Sequence, residues 1–587
     1  MYKFRLISLS LLFLFAFSGV FAQVSDDAKA EKQKQQNALL EQIAKDTEAL
    51  RLPENRALVL AKLGDGFWNA DEKRARQLFQ TAINNLITAQ NEADAEKKQN
   101  GSLYGLIYGT APRQEILILI AGHDAEFALD AFYKSRPPKI AQAMAAENIE
   151  KKDSESGQFA LNETNFEQSL ISRISEQSPQ RAIKLFRESL AKGVTYEAFN
   201  FIEKLKTKDL ELASQLAAEV ADKLIATDYA KDAQAASMGA AFITEYGKKP
   251  EPNAKTIKIE DRILRDLMSK IVKNLLKSDE TGYEIESLLP MIEKYAPESL
   301  TALKQRKAKY DKENKREEYD GYTQLLESNP SPEKLLSEAD KYPDELKNQL
   351  YYAAAEKYAQ SGNVEGAKKL IASKLPENER ENYLTQMNYN LIQQAITAEK
   401  YDEAANLINQ IPVENSRFYF LIQLATTIYQ KNPADNKTKA LGIVNQAREM
   451  IPQPVETLED ISLLMQLATT VSEIDAEQAF PILESLTYQI NEYVEAAAIV
   501  GKYRSDGSVR RGELIVNSYG SVSGLNSMTQ ILSTLKKKDF GRAAAFVNGF
   551  QRPEIRIGLG MQLIDVTPVA DTPVGVGNSG ATVGKAQ

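Results

Sequence analysis

Cysteine is absent from this sequence of 587 residues, and histidine and tryptophan occur once each, as His123 and Trp68. Without cysteine the chain has no thiol nucleophile, no disulfide and no attachment site for the lipid of a bacterial lipoprotein. A single histidine excludes zinc sites built from several histidines, and it leaves a serine–histidine–aspartate triad only if that triad uses His123. We therefore expect a fold held by packing alone, with no metal site and no cofactor.

Long apolar runs are also scarce, since only the first residues of the chain carry one. Two positive charges in MYKFR are followed by LISLSLLFLFAF and then by the small residues of SGVFA. That order is typical of a secretory signal peptide, and we expect cleavage between Ala22 and Gln23. The alternative is an uncleaved membrane anchor, but the run is short for a helix that spans a bilayer, which takes about 20 residues. We expect an exported mature chain, periplasmic or secreted, that is soluble and has no membrane span.

Positive charge is in deficit, because 72 lysines and arginines face 81 aspartates and glutamates, which gives a net charge of −9. An acidic chain binds the phosphates of nucleic acid poorly, so we predict no nucleic-acid partner. Hydrophobic residues make up 43% of the chain and charged residues 26%, proportions that favour a folded chain over a disordered one.

What the sequence does contain is repetition. The phrase QLATT occurs in LIQLATTIYQ, which starts at Leu421, and again in LMQLATTVSE, which starts at Leu464. In both copies apolar residues fall at positions i, i+3, i+4 and i+7, the spacing of one stripe along a helix. The small residues on these stripes, Ala425 and Ala468, would let another helix approach closely.

A second set of alanines follows, at the start of apolar helical patterns: Ala367, Ala404, Ala440 and Ala479. Their intervals are 37, 36 and 39 residues, and a period of this length built from helix pairs predicts an α-solenoid. The polar stretch KNPADNKTK is predicted to be the turn before the helix that opens at Ala440. An irregular helical bundle is the alternative architecture.

The stretch LAKLGDGFWNADEKRARQLFQTA, which starts at Leu60, resembles the tetratricopeptide repeat. The matching positions are Leu60, Leu63, Gly64 and Phe67 in the first helix and Ala75, Phe79 and Ala82 in the second. The resemblance is at the level of the superfamily, and it implies an all-α fold of helical hairpins with a binding role rather than a particular chemistry.

The breaks in these patterns predict two repeat blocks with a helical connector. The expected segments are a signal peptide (1–22), an N-terminal helical-repeat block (23–248), a charged helical connector (253–326), a tetratricopeptide-like block (332–503), a loop with a terminal helical hairpin (504–565) and a disordered tail (566–587).

Few residues offer chemistry. His123 ends an apolar helical pattern, where Asp124 can cap the next helix, and a lone histidine in a turn is expected to be solvated. The motif GVGNSG at 575–580 matches the dinucleotide fingerprint in letters only, because it lacks the strand before it and the helix after it. The acidic segments lack the spacing of a calcium-binding loop.

These observations predict a non-catalytic helical-repeat scaffold that binds a protein or peptide partner in the cell envelope or outside the cell. One alternative is an exported helical enzyme that cleaves cell-wall or other polysaccharide with paired carboxylates, which 81 aspartates and glutamates could supply. Another alternative is an envelope chaperone or assembly factor.

Overall fold

The computed structural model describes residues 30–100, 104–145, 155–248, 255–277, 282–313, 316–411, 414–503, 508–516 and 525–564. The predicted signal peptide, its cleavage site at Ala22, the predicted tail and the motif GVGNSG all lie outside these residues.

The described residues form two compact units. The first unit contains residues from both ends of the chain, namely 30–137, 491–516 and 535–564 with the gaps given above. The second unit contains residues 138–490 and 525–534 with their gaps. A compact unit can contain more than one repeat block or only part of one. The predicted block boundaries at residues 248, 253, 326, 332 and 503 therefore stay predictions.

The first unit opens with five helices, and α2 packs against both α3 and α4. They are α1 (30–47), α2 (Pro53–Phe67), α3 (Glu72–Asn100), α4 (Tyr104–His123) and α5 (Ala125–Lys134). Pro53 stands at the first position of α2, where a missing amide hydrogen costs nothing, and the Asp124 carboxylate caps α5 by accepting the Phe127 amide at 2.9 Å. The predicted capping role of Asp124 is confirmed.

The second unit consists of helices and the turns between them, with no strand among the described residues. Its helices are α6 (Pro138–Ala145), α7 (Glu155–Gln177), α8 (Pro179–Leu190), α9 (Tyr196–Lys208), α10 (Leu210–Ala226), α11 (Ala233–Tyr246), α12 (Asp261–Leu275), α13 (Gly282–Tyr295), α14 (Leu300–Glu313), α15 (Arg316–Glu327), α16 (Pro332–Ala339), α17 (Asp344–Gln360), α18 (Val364–Lys374), α19 (Arg380–Thr397), α20 (Tyr401–Asn409), α21 (Glu414–Lys431), α22 (Pro433–Glu449), α23 (Leu458–Ile474) and most of α24 (Ala476–Gly501).

The remaining elements follow α24. They are the antiparallel strands β1 (Val509–Arg510) and β2 (Glu513–Leu514), and the helices α25 (Leu525–Lys538), α26 (Phe540–Asn548) and α27 (Pro553–Leu563). Arg511 and Gly512 join the two strands and both have positive φ, as a type I′ turn requires. This hairpin lies in the segment for which the sequence predicted a loop.

Helices α16 to α23 form an α-solenoid of stacked hairpins, as the sequence predicted. Each of these helices packs on the next along the chain, and α17 also contacts α19 while α21 contacts α23. The odd-numbered members, α17, α19, α21 and α23, are therefore the first helices of successive hairpins, and α18, α20 and α22 are the second helices. At the N-terminal end of the solenoid, helices α16 to α19 share a core that contains the buried residues Leu335, Leu350, Ala354, Ala367 and Met387.

The two copies of QLATT lie in α21 and α23, the first helices of two successive hairpins. Ala425 and Ala468 are both fully buried, whereas the neighbouring Thr426 is half-buried and its hydroxyl donates back to the Ile422 carbonyl oxygen. A methyl side chain at these alanines leaves room for the adjacent helix, and a larger one would not fit without displacement.

The predicted turn before Ala440 is wrong. Only Asn432 interrupts the helices there, and α22 already begins at Pro433. The Asn432 side chain accepts the Asp435 amide at 3.3 Å, and proline at the first helical position is compatible with this start. A cap that satisfies the first amide groups allows the polar residues of ADNKTK to form an exposed helical turn.

The segment predicted to be a charged helical connector contains four helices of ordinary length. Helices α12 to α15 are 12 to 15 residues long, and Pro297 starts a short 3-10 turn between α13 and α14. Helix α12 is amphipathic, with buried Leu264, Leu267 and Ile271, and packs against α10, α11 and α13. These contacts make α12 part of the core of the second unit.

Candidate functional site

Helices α2 and α3, which carry the repeat-like sequence, pack closely against each other. A Cβ atom at Gly64 would lie 2.8 Å from the Phe79 ring and 3.2 Å from the Ala75 carbonyl oxygen. Glycine is therefore required for the two helices to approach at this position. Phe79 itself is fully buried.

The structure buries all but one of the predicted packing residues. Leu60 is half-buried, and the buried ones are Leu63, Gly64, Phe67, Ala75, Phe79, Ala82, Ala367, Ala404, Ala425, Ala440, Ala468 and Ala479. Their equivalence from one repeat to the next stays a prediction.

His123 belongs to a partly buried cluster with Asp65 and Trp68. Its Nε2 atom lies 2.6 Å from Asp65 Oδ1, and its ring stacks on the Trp68 indole with centroids 4.5 Å apart and planes 18° apart. The His123 side chain is 18% exposed and that of Asp65 only 7%. The expectation of a solvated histidine is wrong, because the end of α4 lies against α2 and the ring fills the space between them.

The surroundings of this cluster are those of a structural contact. Arg76 lies 4.8 Å from the Trp68 ring and donates to Asp124 at 2.8 Å. Burial raises the pKa of the Asp124 carboxyl, but hydrogen bonds from Arg76 and the Phe127 amide more than offset this and hold the pKa below its usual value. In the part of the chain that the structure describes, no serine or threonine hydroxyl bonds to the His123 ring.

A second polar cluster joins the β-hairpin to the start of α2 within the first unit. The Glu513 side chain is 3% exposed and accepts the amides of Arg51 at 2.8 Å and Leu52 at 3.2 Å. The Asn55 side chain donates to Glu513 at 2.8 Å and to the Leu514 carbonyl oxygen at 2.7 Å. A carboxylate at the start of a helix also interacts favourably with the positive end of the helix dipole.

Two further buried glutamates extend this cluster, and arginines bind both of them. Glu54 accepts from Arg510 at 2.6 Å, and Glu554 accepts from Arg552 at 2.8 Å and from the Leu514 amide at 3.2 Å. Carboxylates bound in this way are structural, since an acid or nucleophile for sugar cleavage has to face a substrate cleft. The cluster ties the hairpin to helices from both ends of the chain.

The third feature is a shortage of charge on the first helices of the solenoid. Charged residues make up 26% of the chain. Residues 382–397 of α19 and 418–430 of α21 contain none. The second helices are charged, and Lys439 of α22 pairs with Asp402 of α20 at 3.5 Å. The two helices of each hairpin from α19 to α22 therefore differ in chemistry, whereas the first helix α17 is charged and contains Asp344, Glu345, Lys347, Glu356 and Lys357.

Side-chain hydrogen bonds connect the successive first helices α17, α19 and α21 at the surface. Gln393 of α19 and Gln423 of α21 bond to each other in both directions, at 2.7 and 2.9 Å. Asn390 of α19 donates to Glu356 of α17 at 2.7 Å and accepts from Gln386 at 3.1 Å. We call this surface the first-helix face, and its residues are Tyr352, Glu356, Tyr383, Gln386, Asn390, Gln393 and Gln423.

Tyrosines add flat apolar surfaces to the first-helix face. The rings of Tyr352 and Tyr383 lie 5.0 Å apart across α17 and α19, and both are half-buried. Burial, together with the charge of Glu356, raises the pKa of Tyr352 to about 12, so its phenol stays protonated at neutral pH. Tyr419 lies one helical turn before Gln423 on α21, so it is added to the first-helix face, and it is 48% exposed.

The sequence prediction named no binding residue, and the first-helix face was missed. The signal that could have found it is the absence of charge over 382–397, in a segment rich in asparagine, glutamine and tyrosine. The bond between Gln393 and Gln423 could not be predicted, because it depends on how two hairpins stack.

Comparisons with known proteins add little to this description. No protein-family model matches the sequence, and no curated protein matches it at a significant level. One solved structure, a circular tandem repeat protein with novel repeat topology and enhanced subunit contact surfaces, is similar at 14% identity over 91% of this chain and 94% of that chain. Its TM-score is 0.19, so the likeness carries no argument about this chain.

The described residues show neither a membrane-spanning helix nor a cluster of metal ligands. None of the helices there combines the length and the hydrophobicity that crossing a membrane requires. Within the same residues, histidine, aspartate and glutamate side chains form no group of three or more that could hold a metal ion.

Proposed function

We propose that this protein is an exported, non-catalytic scaffold that binds a protein or peptide partner on the first-helix face, in the cell envelope or outside the cell. The observation that carries the proposal is the absence of charged residues over 382–397 of α19 and 418–430 of α21, where carboxamides and tyrosines lie at the surface. The second helices α20 and α22 carry charged residues, and Lys439 pairs with Asp402 there. Stacked hairpins place equivalent side chains side by side, which suits an elongated partner.

The face also has the composition that protein interfaces favour. Tyrosine is enriched at interfaces and charged residues are depleted at their centres. The half-buried rings of Tyr352 and Tyr383 and the exposed ring of Tyr419 supply large contact areas at a low cost in side-chain entropy.

Affinity capture with matched variants tests the binding function. The full mature chain, the double variant Gln393→Ala/Gln423→Ala and the control Gln446→Ala, an exposed glutamine on the second helix α22, are each incubated with envelope and culture-medium fractions of the source cell. We expect one stoichiometric partner with the native chain and the control, and its loss with the double variant.

Other outcomes would contradict the proposal. Retention of many unrelated unfolded proteins indicates the chaperone alternative, and release of sugar fragments from cell-wall glycan indicates the enzyme alternative. Equal capture by the native chain and the double variant places binding elsewhere on the surface.

Export is tested separately, by N-terminal sequencing of the protein from the source cell. The proposal expects a mature chain that begins at Gln23 and is released by osmotic shock or into the medium, because of the n-, h- and c-region order before Ala22. A chain that begins at Met1 in the membrane pellet contradicts it.

A further inference from the structure

The first-helix face also restricts which kind of segment it can bind. We infer that it takes an extended, uncharged polypeptide segment and binds chiefly the main chain of that segment. This inference rests on the proposed function and names the chemical class of the partner.

The lack of charge is the first argument. Where α19 and α21 meet, the carboxamides of Gln393 and Gln423 face each other. The charged side chains at the end of this contact, Lys431 and Glu399, are already paired with each other at 2.5 Å. A charged side chain brought onto this surface would lose water without gaining an ion pair, whereas an uncharged one would not. The Glu356 carboxylate of α17 already accepts a hydrogen bond from Asn390 of α19.

The carboxamides are the second argument, because each one both donates and accepts hydrogen bonds, as a peptide group does. Gln393 and Gln423 satisfy each other in the free protein through two bonds. When the pair opens, each side chain can bond a peptide N–H and C=O in place of its neighbour. The exchange leaves no polar group unpaired and needs no particular side chain on the partner.

Spacing is the third argument. Packed helices lie roughly 8–10 Å apart, and an extended chain advances roughly 3.3 Å per residue. One first helix therefore corresponds to about three residues of an extended partner. A segment that crosses α17, α19 and α21 needs about nine residues, with Tyr352 and Tyr383 placed to contact its uncharged side chains at one end.

The test uses the full mature chain and synthetic peptides of about nine residues. The probe is an uncharged peptide of threonine, valine and serine, and it is compared with a version that carries aspartate at every third position, one that carries lysine there, and one whose main-chain nitrogens are methylated. Binding is measured by calorimetry at about 0.05 M and about 0.5 M salt, a range in which charge–charge attraction weakens strongly.

We expect the uncharged peptide to bind equally at both salt concentrations, and the methylated peptide to lose its affinity. The variant Gln393→Ala/Gln423→Ala should weaken binding about tenfold or more, and Gln446→Ala should leave it unchanged. A charged peptide that binds as tightly, binding that weakens with salt, or no binding of the uncharged peptide at about 1 mM overturns the inference. So does displacement of the uncharged peptide by a neutral oligosaccharide.

Failure of this inference is distinguishable from failure of the proposed function. If a natural partner is captured through the first-helix face but its binding weakens with salt, the scaffold function stands and the uncharged-segment inference fails. If no protein partner is retained at all, the proposed function fails.

Discussion

At Gly64 a single hydrogen atom in place of a side chain lets helix α2 lie against the ring of Phe79. The variant Gly64→Ala should destabilise the protein by about 1–3 kcal/mol, because the new methyl group would overlap a fully buried ring. Urea unfolding of the first unit, followed by the fluorescence of Trp68, measures the change.

The control is Gly442→Ala on α22 in the second unit, and its unfolding is followed by circular dichroism. A Cβ atom there meets nothing within 4 Å, so the better helix propensity of alanine should stabilise by up to about 1 kcal/mol. If both substitutions stabilise, the close approach of α2 to Phe79 is wrong.

Glu513 provides a second prediction for a single residue. In Glu513→Gln an amide group replaces one carboxylate oxygen, and its N–H groups would face the donors of Arg51, Leu52 and Asn55. We expect a loss of about 1.5–3 kcal/mol, since hydrogen bonds to a charged acceptor are the strong ones. Thermal unfolding monitored by circular dichroism measures it.

The comparison for this variant is Glu72→Gln, an exposed glutamate of the same unit that pairs with Arg76 one turn away. An exposed pair of this kind contributes about 0–1 kcal/mol. Equal losses in the two variants would mean that the Glu513 cluster does not stabilise the unit.

At the scale of the element, the two QLATT helices test the solenoid. Ala425→Glu and Ala468→Glu each place a carboxylate where the structure has a fully buried methyl group, at a cost of several kcal/mol. Thr426→Glu, at a half-buried position next to Ala425, should cost far less. Limited proteolysis of the three variants, with the fragments mapped by mass spectrometry, should show new cuts around α21 or α23 for the alanine variants only.

If Thr426→Glu is as damaging as Ala425→Glu, the equivalence of the two copies is refuted. The same holds if either alanine tolerates glutamate.

The sequence predicts the burial of residues within one helix, but not the start of α22 or the contacts between helices. The burial of Ala425 and Ala468 was predictable, because a helical stripe depends on spacing over a few residues. The start of α22 was not, since ADNKTK has the composition of a loop until the Asn432 side chain caps it. The pairing of Gln393 with Gln423 and the stacking of His123 on Trp68 depend on tertiary contacts, which local patterns do not contain.

At the scale of the whole molecule, the first unit is built from segments far apart in the sequence. Arg556 of α27 donates to both carboxylate oxygens of Asp46 in α1, at 3.0 and 2.9 Å. A Cβ atom at Gly560 of α27 would lie 3.2 Å from Ile43, so these two helices are in van der Waals contact. The N-terminal helices therefore depend on residues near the other end of the chain for part of their core.

This dependence predicts the effect of a truncation. A chain that ends at Lys538 keeps α25 but lacks α26 and α27, so Ile43 becomes exposed and Asp46 loses its partner. We expect residues 30–137 to become sensitive to protease, while residues 138–490 keep their protection, because those helices pack among themselves. Timed proteolysis with peptide mapping locates the cuts.

Deletion of residues 566–587 alone is the control, and it should leave the melting midpoint unchanged because that segment has almost no large apolar side chains to bury. If the N-terminal helices of the truncated chain resist protease as well as those of the full chain, they fold without the C-terminal helices and the first unit is not a single cooperative structure.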